Sequence, residues 1–240
     1  IRRGVGISAG THVSNAAPFC VDYNAVVLRI ERDGTLFVNT SIPEIGPGCT
    51  TACLQVACDL IGCSLQGAVM KFGDTDAAPF DIGSHATRTL YTVSHVMADA
   101  AKDLRRDVFG WVGTRLGLDP DSLDMEDGVI TSGGKQVATL ADMASQAHLA
   151  GKQFLASACK VPPNCLPFYA QAAEVEVDME TGMVKVLKVA AAHDVGKVVN
   201  PKLCRGQIEG GVLQGVGYAV REEMTYVEGK GFYNKGFHSY

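Results

Sequence analysis

Several things are missing from this sequence, and each absence excludes something. No apolar run approaches the roughly 20 residues that a membrane-spanning helix needs. No run of lysine or arginine occurs. The net charge is −5 and the pI about 5.7, which argues against nucleic acid as the principal partner. The opening Ile1-Arg2-Arg3-Gly4 has neither an initiator methionine nor the apolar stretch of a secretion signal. Ile1 is therefore expected to lie inside a longer translated product. No pair among the eight cysteines is spaced C-x-x-C. Cys49, Cys53, Cys58 and Cys63 cluster along one expected helix at intervals that suit neither a zinc ribbon nor an intrahelical disulfide. They read as buried free thiols of a reducing cytoplasm, with a single zinc or iron–sulfur site as the alternative. No low-complexity stretch or linker divides the chain.

What is present is globular: 240 residues, 47% hydrophobic and 20% charged. That length allows one large domain or two small ones. Strands are expected over 4–13 and 69–72, a hairpin over 25–40 turning at Asp33-Gly34, and a helix from about Thr50 that stops at Gly62. A long helix is expected from Thr89 to Leu116, broken or frayed by Gly110 and Gly113. A small hairpin follows over 123–136, with turns at Asp127-Gly128 and Gly133-Gly134. Thr139 caps a short helix, 154–159 is a strand, and 172–192 is a hairpin turning at Thr181-Gly182. Hairpin, glycine loop and helix thus occur at 25–61 and again at 172–223. The expected fold is α+β, with two related lobes of hairpins and helices over roughly 1–150 and 151–240.

The densest signal is Gly206-Gln207-Ile208-Glu209-Gly210-Gly211-Val212-Leu213-Gln214-Gly215-Val216-Gly217. Asn200-Pro201 supplies an N-cap and a first-turn proline. Ile208, Val212 and Ala219 recur at helical spacing, as do Leu213, Val216 and Val220. Yet five of these twelve residues are glycine, each costing about 1 kcal/mol against alanine in a helix interior. Close approach of another backbone or of a ligand is the usual offset. Gln207, Gly211 and Gln214 share one face, two amides around bare main chain. A tight helix–helix contact explains the spacing equally well.

Two other loops lead into helices. In Asp81-Ile82-Gly83-Ser84-His85-Ala86-Thr87-Arg88, the unpaired N–H groups at the helix start favour an anion. Ser84 and Thr87 add hydroxyls and Arg88 a fork of donors. An ordinary capped helix is the plain alternative. The second loop, Glu44-Ile45-Gly46-Pro47-Gly48-Cys49-Thr50-Thr51, enters a helix carrying Gln55-Val56-Ala57. His12, His95, His148 and His238 have no motif around them and read as structural or surface residues.

The string GQIEGGVLQGVGYAVREE resembles the glutamine–glycine helix of the molybdenum hydroxylases, the xanthine dehydrogenase and aldehyde oxidase family. The preceding HDVGKVVNP resembles the loop that leads into it there, in which Asp194 and Asn200 organise the turn. Residues 81–88 resemble that family's serine-bearing cofactor loop. Residues 44–51 are similar to its G-x-G-Q-G-x-x-T segment, with Pro47 where glutamine is frequent. The segments occur in the family's order and cover nearly the whole chain, matching the second half of the molybdenum-binding region. The resemblance implies the molybdopterin-binding fold, with molybdopterin and its molybdenum as cofactor, or the cytosine dinucleotide form in a bacterial enzyme. It assigns cofactor contacts to Gly46, Gly48, Gly83, Ser84, His85, Ala86, Thr87, Arg88 and Gln207. It implies iron–sulfur clusters and FAD on other subunits or domains. The implied reaction is hydroxylation of a heterocycle or aldehyde with oxygen from water. The family's GGFGGK loop has no counterpart here, and its glutamate base is expected beyond Tyr240. No catalytic residue or metal ligand is therefore assigned, and the chain alone is expected to be inactive. The alternative is a non-catalytic binding or assembly module of the same fold, taking a different dinucleotide or none.

Overall fold

The computed structural model describes residues 1–15, 17–234, 236–238 and 240. The chain begins with β1 (Arg2–Thr11), β2 (Asn24–Ile30), β3 (Leu36–Asn39), α1 (Cys49–Ile61), β4 (Ala68–Lys71) and α2 (Arg88–Leu116). It continues with β5 (Leu123–Glu126), β6 (Val129–Ser132), β7 (Lys135–Thr139), α3 (Leu140–Leu149) and β8 (Phe154–Lys160). It ends with β9 (Phe168–Val177), β10 (Val184–Asp194), α4 (Pro201–Val220) and the two-residue strands β11 (Tyr226–Val227) and β12 (Gly231–Phe232). This is an α+β architecture of several sheets and four helices among the described residues.

Two units result, and they do not divide near residue 150. Val13–Leu166 form the larger one, and Ile1–His12 join Pro167–Tyr240 in the smaller. The first strand is responsible. β1 pairs antiparallel with β9, from Arg2 opposite Val177 to Thr11 opposite Phe168. Nothing local to β1 in the sequence names that partner.

In the larger unit the alternation of β2 places Val26, Leu28 and Ile30 inward, and Leu36 and Val38 of β3 join them. The sheet order is β4-β3-β2-β8, with β3 and β4 parallel and the other pairs antiparallel. α1 packs against α2, and α2 against β2 and β8. Val93, Val96, Met97, Ala100, Leu104, Val108 and Val112 form the buried stripe of α2, at the spacing a helix requires. Gly110 and Gly113 do not break it. The helix runs on to a left-handed cap at Gly117, and Gly113 is the point where the returning chain passes close, a built Cβ lying 2.7 Å from the Leu118 carbonyl oxygen. The expected hairpin at 123–136 is a three-stranded meander, β5-β6-β7, turning at both glycine pairs. Thr139 caps α3 as expected, its hydroxyl accepting from the Asp142 N–H at 3.1 Å.

Gly62 ends α1 in a left-handed conformation, φ 86°, and a Cβ there would lie 2.0 Å from the Met125 carbonyl oxygen. Both the dihedral and the space therefore demand glycine. Gly62→Ala is expected to cost about 2–3 kcal/mol in urea denaturation.

The smaller unit is a three-stranded antiparallel sheet, β1-β9-β10, with α4 against β10 and the β11–β12 pair. Among the described residues, every buried hydrophobic side chain belongs to the larger unit. α4 has no fully buried residue. Ile208, Val212 and Val216 are half-buried along one stripe, and Gln207, Gly211 and Gln214 are exposed. No helix among the described residues is long and apolar enough to cross a membrane.

Candidate functional site

The two glycine loops of the larger unit meet. The Ser84 hydroxyl donates to the Pro43 carbonyl oxygen at 3.2 Å and lies 2.9 Å from the Thr89 hydroxyl. The hydroxyl thus forms a latch between the N-termini of α1 and α2. Beyond it the backbone is strained. Gly83 has φ 103°, and Ala86 and Thr87 follow at 48° and 59°. A β-branched residue with positive φ is an outlier that surrounding structure must enforce. Among the described residues, the N–H groups of Ser84, His85, Ala86 and Thr87 meet no acceptor. They precede a helix of 29 residues, whose N-terminal dipole favours negative charge.

Arg88 has a different task from the anion donor that its position suggests. Its side chain is fully buried. Nε donates to Asp22 Oδ1 at 2.7 Å, Nη2 to Asn24 Oδ1 at 2.7 Å, and Nη1 to the Gly83 carbonyl oxygen at 3.0 Å and Asp81 Oδ2 at 3.3 Å. Asn24 Nδ2 donates in turn to Asp81, and Asp81 Oδ1 accepts from the Gly83 N–H at 2.7 Å. The guanidinium fork thus ties both ends of the strained loop to β2 and to the segment before it. Asp22 and Asn24 escaped the sequence reading because their partner is remote in the chain.

The other loop carries its own anion. Glu44 Oε1 accepts from the Gly46 and Gly48 N–H groups at 2.9 and 3.0 Å, and Oε2 from the Thr50 N–H and hydroxyl at 3.1 and 3.0 Å. The Gly46 and Gly48 donors, expected to face a cofactor, are already engaged. A glutamate two residues before Gly-Pro-Gly at a helix start was the available signal. Partial burial acts to raise the Glu44 pKa, but the Thr50, Gly48 and Gly46 N–H groups outweigh it and hold the group at about 2. The folded-state value lies below the ordinary 4.5. The stabilisation is therefore complete above that value and fades as pH falls toward 2. Glu44→Gln is expected to flatten the decline in stability between pH 5 and 3, measured by denaturant melts. Nearby, burial pushes the Cys49 thiol up to about 11 and raises Cys53 as well, while Cys20, Cys159 and Cys165 are exposed. Cys58 is lowered by its hydrogen bond with Cys63.

In the smaller unit, the lead-in loop is organised as expected. The Gly196 N–H meets Asp194 Oδ1 at 3.2 Å, and the Asn200 side chain caps α4 through the Leu203 N–H at 3.1 Å. Four of the five glycines of α4 are bare, while a Cβ at Gly217 would meet the Glu222 side chain. A Cβ built at Gly206, Gly210, Gly211 or Gly215 meets nothing within 4 Å. Within the smaller unit nothing packs on these four positions to offset their cost, and Gln207 stands exposed beside them.

A family model described as the molybdopterin cofactor-binding domain matches residues 1–240. The chain belongs to that family. A xanthine dehydrogenase molybdenum-binding subunit from Escherichia coli is 28% identical over 232 residues, covering 93% of this chain and 31% of the relative. The nicotine 6-hydroxylase large subunit of Paenarthrobacter nicotinovorans is 24% identical, covering 86% of this chain and 27% of the relative. The quinoline 2-oxidoreductase structure from Pseudomonas putida 86 aligns with a TM-score of 0.91 at 25% identity, over 99% of this chain and 33% of that one. The chain spans about a third of the length of the curated relatives it matches. The residues present suit molybdopterin, which carries a phosphate on a flat, polar ring system. Within the larger unit, four unpaired N–H groups before α2 suit a phosphate, and the open face at Gly46 leaves room for a flat group; within the smaller unit, the open glycines of α4 do the same.

Proposed function

We propose that this chain is the cofactor-holding portion of a molybdenum subunit whose full assembly hydroxylates a heterocycle or an aldehyde with oxygen from water. The observation that supports this most is the uncovered face of α4 at Gly206, Gly210, Gly211 and Gly215, whose propensity cost has no counterpart inside the smaller unit. When bound, the cofactor supplies the redox chemistry. The chain's own residues bind and orient. The Ser84, His85, Ala86 and Thr87 N–H groups take an anionic group without needing a lysine or arginine. Arg88, through Asp22 and Asp81, keeps that loop in its strained shape. Gln207 offers an amide to a polar ring edge, and Gly211 lets the ring approach the helix backbone. The remaining segments of such a subunit, with iron–sulfur and flavin partners, complete the electron path in this reading.

The native complex should convert members of a panel of purines, pyridine carboxylates and aldehydes in ¹⁸O-labelled water, with product mass increased by one labelled oxygen. Label arriving from dioxygen instead would reject the reaction class. One feature favours the second reading, a non-catalytic module of the same fold: the Gly46 and Gly48 donors are bonded to Glu44, and Pro47 has no N–H. That reading predicts a complex that converts none of the panel.

A further inference from the structure

We propose that Glu44 is a positioning residue that partitions the cofactor between the two helix starts. It closes the N-terminus of α1 to anions and shapes the loop for an uncharged part of the ligand. This rests on the proposed function above.

Both α1 and α2 begin in glycine loops and both carry a dipole that attracts negative charge. Their N-termini are nevertheless treated oppositely. At α1, one carboxylate collects the Gly46, Gly48 and Thr50 N–H groups together with the Thr50 hydroxyl, all at 2.9–3.1 Å. A second anion there would meet like charge and few free donors. At α2, Asp22 and Asp81 are bonded to Arg88, and Asp81 takes only the Gly83 N–H of the loop, at 2.7 Å, while among the described residues the N–H groups of residues 84–87 meet no acceptor. The Ser84 hydroxyl, bonded to the Pro43 carbonyl oxygen, holds the two loops together at 3.2 Å. The geometry therefore sorts charge: anion toward α2, neutral surface toward Gly46, where a Cβ would meet nothing. Glu44 is assigned no contact with the ligand, since its carboxylate is taken up by Gly46, Gly48 and Thr50. It acts through the loop whose left-handed residues, Gly46 at φ 110° and Gly48 at φ 76°, it pins from one side.

The test uses the native complex with Glu44→Gln, Glu44→Asp and Glu44→Ala. Pterin is read by fluorescence after oxidation and molybdenum by elemental analysis, both per folded chain. Glu44→Gln removes the charge at nearly constant shape, and cofactor content is expected to fall by about tenfold. Glu44→Asp should restore part of it. A second readout needs no cofactor. In Glu44→Ala the α1 donors are open, so millimolar inorganic phosphate should raise the melting temperature more than in wild type at matched ionic strength. Wild-type cofactor content in Glu44→Gln, or an equal phosphate response in Glu44→Ala and wild type, overturns the proposal. A wild-type complex devoid of pterin overturns the functional reading itself and the positioning role with it, an outcome distinct from either of those two.

Discussion

Gly211→Ala is expected to make the protein more stable and its cofactor site empty. The two effects have separate causes. A Cβ at Gly211 meets nothing within 4 Å, so alanine fits the helix and recovers about 1 kcal/mol of propensity. The same methyl group stands on the face shared by Gln207 and Gln214, where the proposed function places a flat ligand against main chain. Molybdenum and pterin content of the purified complex should drop by more than about tenfold, since displacement by a methyl group abolishes close approach. Denaturant melts and elemental analysis on the same preparation measure both quantities. Glu209→Ala, which removes an exposed pair with Arg205, should change stability by no more than about 0.5 kcal/mol and leave content unchanged. Loss of stability and assembly, with full cofactor in whatever assembles, would assign the glycine face to a protein contact instead.

Arg88→Met is expected to produce the largest loss of stability of any single change considered. It removes the guanidinium that the buried Asp22 and Asp81 carboxylates both contact. Breaking a buried pair in this way costs about 3–5 kcal/mol, a large part of the total for an ordinary domain. Arg88→Lys keeps the charge but cannot reach Asp22, Asn24 and Gly83 together, so it should recover only part. Urea denaturation decides. A cost below about 1 kcal/mol for Arg88→Met would mean that the cluster does not hold the loop.

The parts of this molecule legible in the sequence are those whose cause is local. Thr139 and Asn200 cap helices because a short oxygen-bearing side chain precedes a helical pattern. Gly62 stops one, and Asp33-Gly34 and Asp127-Gly128 turn the chain, because positive φ suits glycine. The failures are all long-range. β1 joins β9 across most of the chain. The local cost of Gly110 and Gly113 predicts a broken helix, but α2 is held by packing along its length, and Gly113 is needed for the close return at Leu118. At the site, the helix starts and their glycines were visible, while the destination of each donor was not. Arg88 looked like a ligand donor because position alone cannot reveal that Asp22 and Asp81 receive its fork. Gly46 and Gly48 looked free because a side chain two to four residues back can fold over a helix end in many ways. α4 was legible as a helix, and its spacing placed Ile208 and Val212 on a half-buried stripe. Its bare face has no cause within its own unit.

That bare face is the centre of the account, and the most direct measurement of it is cofactor content. The native assembly containing this chain should be purified without chelators and assayed for molybdenum and, after oxidation, for fluorescent pterin. Both are expected in proportion to the amount of this chain present. A full, stable native assembly containing neither molybdenum nor pterin would contradict the account.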